Sequence, residues 1–501
     1  MTFPLLQATL PPLTQPVIVG VALVYFVIVA AIGVWATRRT KNANDFFVAG
    51  EGIGLWTLAI ASMASTISGF AFIGGPGLVY SIGIGALFLV LPAAITNTMG
   101  CWVLAKRLRL LGEIRGLITI PDAIGVRYKT RFGQGISAVS IVVATIGYTA
   151  TNVLALGLVI TAVFGVGRIP GIWIGSAIIL SYSASGGILA GVYTDLFEGA
   201  VKAVASVLVF AYVLMVGGGM SGMSHSIMAA DATYLGPWGK IGPMAALSFF
   251  FVFGVGSLGQ PHVVHKFYML RDPRRLKWLP LIVSCSLIVS LLLYFGVGIA
   301  MRALVAGGRI PALASPDDAT PTFLLHFTPI ALAALVFSGV AAAIMSTVNS
   351  FLSIGAAALT HDIPVAFGTR VKDELLVGRL TTVVIAVLAA LVAQGSGALV
   401  AFLGIFGWGL FASTLVPSLA IGLNWKGATR AGAVGSIVTG LVCTLLFETL
   451  AYMKAYKLPA GVTASGLSLV MSFLVFFALS WLTRDTAEAT LDPDIRAVME
   501  A

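Results

Sequence analysis

Between Val17 and Trp481 the chain passes through one apolar run after another, each about 20 residues long. That is the length a helix needs to cross the roughly 30 Å of a bilayer's hydrocarbon. Such runs fall at 17–36, 54–76, 82–105, 136–164, 172–190, 194–216, 243–263, 278–301, 328–359, 374–393, 398–423, 431–451 and 462–481. With 58% hydrophobic and only 10% charged residues, a chain of 501 residues has too little polar surface to coat a soluble globule. The reading is an all-α, polytopic membrane protein of about 13 transmembrane helices, with its termini on opposite sides.

The formal charge of +10 raises the question of nucleic acid. The basic residues, however, sit in short connectors between apolar runs, as the positive-inside rule expects, so no nucleic-acid partner is inferred. Connectors after runs 1, 3, 7, 9 and 11, with the tail, hold about 21 Lys and Arg against about six on the other side. The heaviest are 106–131 and 266–277. These are placed in the cytoplasm, so the N-terminus is expected outside and the C-terminus inside, in the cytoplasmic (inner) membrane. Residues 1–16 lack a basic region ahead of their apolar part and read as a short arm. Cys101, Cys285 and Cys443 lie within apolar runs and offer neither a disulfide framework nor zinc spacing.

Two runs cannot stay regularly helical. Residues 61–77 carry hydroxyls, glycines and Pro76, and residues 253–262 read Phe-Gly-Val-Gly-Ser-Leu-Gly-Gln-Pro-His. In hydrocarbon an unpaired backbone group costs several kcal/mol, so a break survives only where the freed groups face protein, water or an ion. Paired breaks about five runs apart are the mark of a secondary transporter with inverted halves. On this reading 54–216 is a first five-helix repeat and 243–423 an inverted second, with 17–36 and 431–481 supplying additional helices. Gly254-x-Gly256-x-x-Gly259 spells a dinucleotide pattern, but no strand precedes it. His262 and His265 have no Cys or carboxylate at ligand spacing and read as interfacial or packing groups.

Four stretches carry a resemblance: Ala64-Ser-Thr-Ile-Ser-Gly69 running into Gly74-Gly-Pro-Gly77; Gly186-Gly-Ile-Leu-Ala-Gly-Val-Tyr-Thr-Asp195; Gly259-Gln-Pro-His-Val-Val-His-Lys-Phe267; and Ala341-Ala-Ala-Ile-Met-Ser-Thr-Val-Asn-Ser350. In this order, over nearly the full length, the chain resembles the sodium/solute symporter family of sodium/proline and sodium/glucose cotransporters, the proline branch nearest. The resemblance implies a leucine-transporter type fold and alternating access driven by sodium ion.

By the family's motifs, sodium would be held by the carbonyls of Ala64, Ile67 and Ala343 and the hydroxyls of Ser346 and Thr347. Freed carbonyls plus hydroxyls suit a hard cation. The competing reading has both hydroxyls bonding back to carbonyls one turn earlier. Asp195 matches the family's Thr-Asp motif and is implied as an auxiliary station on the sodium path. Glu198 and Lys202 follow it on one helix face, where a neutralised cluster is the alternative.

The matched solute positions are Ser68, Tyr148, Asn152, Phe253, Ser257 and Gln260, with ordinary helix packing the rival explanation. Thr66 stands where proline transporters carry aspartate, and Phe253 and Ser257 replace larger aromatics, which points away from proline itself. A many-hydroxyl sugar would find too few polar partners here, whereas a small carboxylate suits the positive ends of half-helices.

The expected function is sodium-coupled import of a small organic solute, an amino acid or carboxylate. The alternatives are a proton-coupled symporter using Asp195 and Glu198, and a membrane solute sensor. No paired base and nucleophile or metal cluster suggests an enzyme, and no obligate protein partner is evident.

Overall fold

The computed structural model describes residues 16–48, 53–54, 56–57, 60–61, 68–269, 277–397, 399–456, 458–459 and 461–500. All of its regular elements are helices. The principal ones are α1 (Pro16–Arg39), α2 (Gly75–Ile82), α3 (Leu87–Gly100), α4 (Arg131–Phe164), α5 (Arg168–Gly217), α6 (Gly242–Gly256), α7 (Leu279–Ala306), α8 (Ile330–Ala357), α9 (Glu374–Gly395), α10 (Val400–Leu415), α11 (Arg430–Tyr452), α12 (Ala464–Leu482) and α13 (Pro493–Glu500). Among the described residues, nine segments are long and apolar enough to cross a bilayer, or ten if one bent pair counts as a span.

Burial sorts these helices into centre and rim. The α8 and α10 spans are each 83% buried over their most apolar stretch, and α4 78%, against 28% for α1 and 33% for α9 and α11. The sequence explains the difference. Lipid tails are as apolar as leucine, so membrane helices associate through close packing of small residues. In α8, Gly339, Ala341, Ala342, Ala343, Ser346, Thr347, Ser350, Ser353 and Gly355 are all buried. They bring α4 and α5 against it, while α1 lies across α5 and α8.

At 50 residues, α5 would be roughly 75 Å long if straight, more than twice the hydrocarbon thickness. It bends at Gly187, where φ is 56° and ψ −148°, a region almost confined to glycine. A Cβ there would lie 2.5 Å from the Phe46 carbonyl oxygen. The break falls inside the run expected at 172–190, short of its boundary with the run at 194–216.

Parts of the expected connectors are structured. Residues Lys106–Arg115 continue α3 through a π-turn, and Ile120–Tyr128 form a helix capped by the Thr119 hydroxyl, which accepts from the Asp122 N–H at 3.1 Å. Basic residues read as loop charges are partly internal. Arg127 is 1% exposed and donates to the Gly422 carbonyl at 2.8 Å. The three cysteines are free, and Cys285 is exposed.

Two further features frame the molecule. A turn at Pro316–Asp318, closed by a reciprocal Ser315–Asp318 capping box, sits over α2: a Cβ on Gly77 would lie 2.7 Å from the Pro316 carbonyl oxygen. Asp317 Oδ2 accepts from the Val400 N–H at the start of α10 (3.0 Å). At the opposite end of the chain, α13 buries Ile495, Val498 and Met499. Asp492 pairs with Arg115 (2.9 Å) and Lys129 (2.7 Å), Asp494 with Arg115, and Glu500 with Lys426.

Candidate functional site

The site is built where helices stop being regular. On the first interrupted run, Ser68 and Gly69 lead into a π-turn at Phe70–Gly74 before α2 begins. The Ser68 carbonyl accepts from the N–H groups of Ala71 (2.9 Å) and Phe72 (3.2 Å). The Phe72 carbonyl is taken by the hydroxyl of Thr320 at 2.7 Å. Asn152 on α4 completes the accounting: its Oδ1 accepts from the Gly69 N–H at 2.9 Å, and its amide donates to the Tyr148 carbonyl at 2.9 Å. Buried backbone groups need such partners.

The second interruption follows the same logic. After α6 the chain tightens into a 3₁₀ turn at Ser257–Gly259, becomes extended at Gln260 (φ −76°, ψ 109°), and restarts as a helix at Pro261. The Gln260 carbonyl accepts from Val263 and Val264, at 3.1 and 3.0 Å. Its side-chain amide donates to the carbonyls of Gly256 (3.0 Å) and Trp408 (3.2 Å). Ser257 donates to the Gly254 carbonyl and bonds the hydroxyl of Thr96 on α3.

The predicted solute residues therefore converge. Ser68 Oγ lies 3.4 Å from the Tyr148 hydroxyl. Phe70 stacks on Phe253 with ring centroids 5.9 Å apart, and Phe253 stacks on Trp408 at 5.2 Å. Tyr148 meets Phe351 at 4.7 Å and His262 at 6.0 Å. Phe70, Phe351, Trp408 and Thr320 were absent from the sequence-based set. His262 and His265 are packing rather than interfacial groups: both are buried, and His265 Nε2 is 2.8 Å from the Phe47 carbonyl oxygen. Several buried polar atoms of this cluster have no hydrogen-bond partner, among them Gln260 Oε1, Trp408 Nε1 and His262 Nδ1.

Of the residues expected to hold sodium, Ala64 and Ile67 lie outside the described residues. The other three form one knot on α8. Ser346 and Thr347 both donate to the Ala343 carbonyl, at 3.2 and 3.0 Å, and all three residues are fully buried. This local bonding agrees with the bland reading as far as it goes. It also gathers one carbonyl and two hydroxyl oxygens at a point beside the first interruption, because a Cβ on Gly69 would lie 2.9 Å from Ile344 Cγ1. Those oxygens suit a hard monovalent cation, and no carboxylate is needed among them.

Asp195 lies fully buried on α5, its Oδ2 2.8 Å from the ammonium of Lys266. Lys266 had been counted as a loop charge; it is instead fully buried and also donates to the Ala61 carbonyl at 2.7 Å. Lys202 is buried as well. Outside the membrane spans, the Asp317 carboxyl is pushed up to about 6 by burial, the Val400 N–H opposing the shift.

Two breaks facing one small-residue helix have counterparts in known proteins. A family model described as the sodium:solute symporter family matches residues 46–440. The chain belongs to that family. It is 28% identical over 488 residues to the osmoregulated proline transporter OpuE of Bacillus subtilis (strain 168), covering 93% of this chain and 95% of that one. It is also 28% identical over 499 residues to the sodium/proline symporter of Staphylococcus aureus (strain JH9), covering 95% and 94%. Among solved structures, the substrate-bound outward-open state of a Na+-coupled sialic acid symporter superposes with a TM-score of 0.76 at 20% identity, over 95% of this chain and 98% of that one. Mhp1, a nucleobase-cation-symport-1 family transporter, gives 0.54 at 16% identity, over 91% and 98%. The symporter is thus a membrane transporter of leucine-transporter type fold that couples solute import to sodium, not an enzyme.

Proposed function

We infer that the symporter imports a small zwitterionic amino acid, a class that includes proline, with sodium bound by Ala64, Ile67, Ala343, Ser346 and Thr347. The observation that carries the solute class is the pairing of unspent polar atoms with stacked rings. Gln260 Oε1 is an acceptor and Trp408 Nε1 a donor, both buried and unpartnered. Both border Gly256: the Gln260 amide holds its carbonyl as well as that of Trp408, and a Cβ on Gly256 would lie 3.0 Å from the Trp408 indole nitrogen. An ammonium and a carboxylate on one small solute answer both. The rings of Phe70, Phe253 and Trp408 would cover its short apolar part.

Residues 54–216 and 243–423 would act as inverted halves, each opening on a broken helix, with the N-terminus outside and the C-terminus in the cytoplasm. Alternating access then moves the solute and ion together, because each raises the other's affinity for the same outward-open state. Sodium entering down about 120 mV supplies roughly 2.8 kcal/mol at about 2.3 per 100 mV. A tenfold gradient adds about 1.4 kcal/mol. Together they would concentrate a neutral solute about a thousandfold.

The test is uptake by the purified symporter in liposomes, with radiolabelled proline, other small amino acids, short carboxylates and glucose. An inward sodium gradient should drive accumulation of at least one amino acid, and Ser346→Ala with Thr347→Ala should abolish it. Sodium-driven accumulation of glucose alone would overturn the solute assignment, and undiminished sodium dependence in the double variant would overturn the ion site.

A further inference from the structure

We propose that the ammonium of Lys266 permanently occupies the cation position at Asp195, so that one sodium ion accompanies each solute and Lys266 fixes that ratio. This deepens the reading in which sodium binds at Ser346 and Thr347, and rests on it.

Asp195 lies on the helix packed beside that site. Asn349 follows Thr347 by less than one turn of α8, and its amide donates to the Gly187 carbonyl at 3.0 Å. The same amide nitrogen would lie 2.2 Å from a Cβ on Gly191. Further along, a Cβ on Gly339 of α8 would lie 3.0 Å from Val201 of α5, so the two helices run antiparallel and Asp195, one turn after Gly191, lies about level with the α8 oxygens. A buried carboxylate in low dielectric demands a counter-charge. With sodium as the only mobile cation, that position would be a second ion site.

Lys266 answers the demand from within the chain. It sits on the short turn His265–Met269 just beyond the second interruption. Its Nζ lies 2.8 Å from Asp195 Oδ2 and 2.7 Å from the Ala61 oxygen, one carboxylate and one carbonyl oxygen, a donor set much like that expected of a bound ion. Ala61 opens the first interrupted stretch. The ammonium therefore ties both broken regions to α5. Because it is tethered and already buried against Asp195, it competes with a free ion without having to enter from solution. Sodium would have to displace a covalently held competitor.

The experiment counts ions on the purified full-length protein by equilibrium binding of radioactive sodium, and compares sodium with solute flux in liposomes. Wild type is expected to bind one sodium and to move one per solute. Lys266→Ala should uncover Asp195 and raise the count to two, with a steeper sodium dependence; Lys266→Met with Asp195→Asn, which keeps the buried volume, should restore one. Two ions on the wild type, one of them lost in Asp195→Asn, would overturn the proposal, as would a folded Lys266→Ala protein that still binds one. Should Lys266→Ala not fold, the wild-type count and the neutral double variant decide: one ion on each upholds the proposal, and two on the wild type overturns it. Failure of the underlying site looks different, for then Ser346→Ala with Thr347→Ala retains the wild-type ion.

Discussion

Asn152 does two things with one amide. Its oxygen holds the Gly69 N–H and its nitrogen the Tyr148 carbonyl, both at 2.9 Å. Asn152→Leu leaves the Gly69 N–H buried and unpaired, a cost of about 1–3 kcal/mol, on the stretch that supplies two of the proposed sodium ligands. The KM for sodium and that for solute should both rise roughly tenfold or more in uptake assays; unchanged kinetics would show that the first interruption does not depend on this bond. Trp408→Phe keeps the ring over Phe253 but removes the indole N–H. It should weaken an amino acid about tenfold while leaving sodium binding intact in a direct binding assay. Legibility at this scale followed motifs. Tyr148, Asn152 and Gln260 were reached through the family resemblance that their runs carry, whereas Trp408 and Phe351 look like any core aromatic until neighbouring helices are in place. Lys266 was misplaced because a basic residue near the end of an apolar run is ordinarily solvated.

At the scale of elements, the two interruptions use different means to the same end. The second is a short 3₁₀ turn and one extended residue at Gln260; the described part of the first is a π-turn whose Phe72 carbonyl is satisfied from the Pro316–Phe327 region by Thr320. Both positions were readable from clustered Gly and Pro, since those residues disfavour a regular helix wherever they occur. The partners that satisfy the freed groups were not readable, because they come from segments far away in sequence. The bend in α5 shows the same division. A stretch of that length had to break, but only the structure shows that Phe46 packs against the glycine that breaks it. Gly187→Ala forces a side chain into a region of φ and ψ costing about 1–3 kcal/mol, with a backbone oxygen 2.5 Å away. The variant should lose several degrees of melting temperature or fail to accumulate in membranes, and wild-type stability would show that the bend relaxes freely.

The whole molecule carries two closures. The tail helix α13 is clasped by ion pairs that are individually weak and screened by salt. Hydrogen exchange at 493–500 should be slow at about 10 mM salt, where the Debye length is about 30 Å, and fast at about 1 M, where it is about 3 Å. Arg115→Ala with Lys129→Ala should exchange fast in both, and slow exchange throughout would show that the buried Ile495, Val498 and Met499 alone suffice. The other closure is the turn holding Asp317 against α10. Because burial raises this carboxyl above its ordinary 3.8 to about 6, its ionisation opposes the closed arrangement. The closure is fully supported below about pH 4 and loses support as the pH rises through 6. Uptake limited by opening of this cap should therefore accelerate between about pH 4 and pH 6, and Asp317→Asn should flatten that rise. With the N-terminus outside, as proposed, the connector before α8 that carries this turn faces outward, and an acidified exterior would slow solute entry at the mouth of the route while the sodium gradient stayed in place.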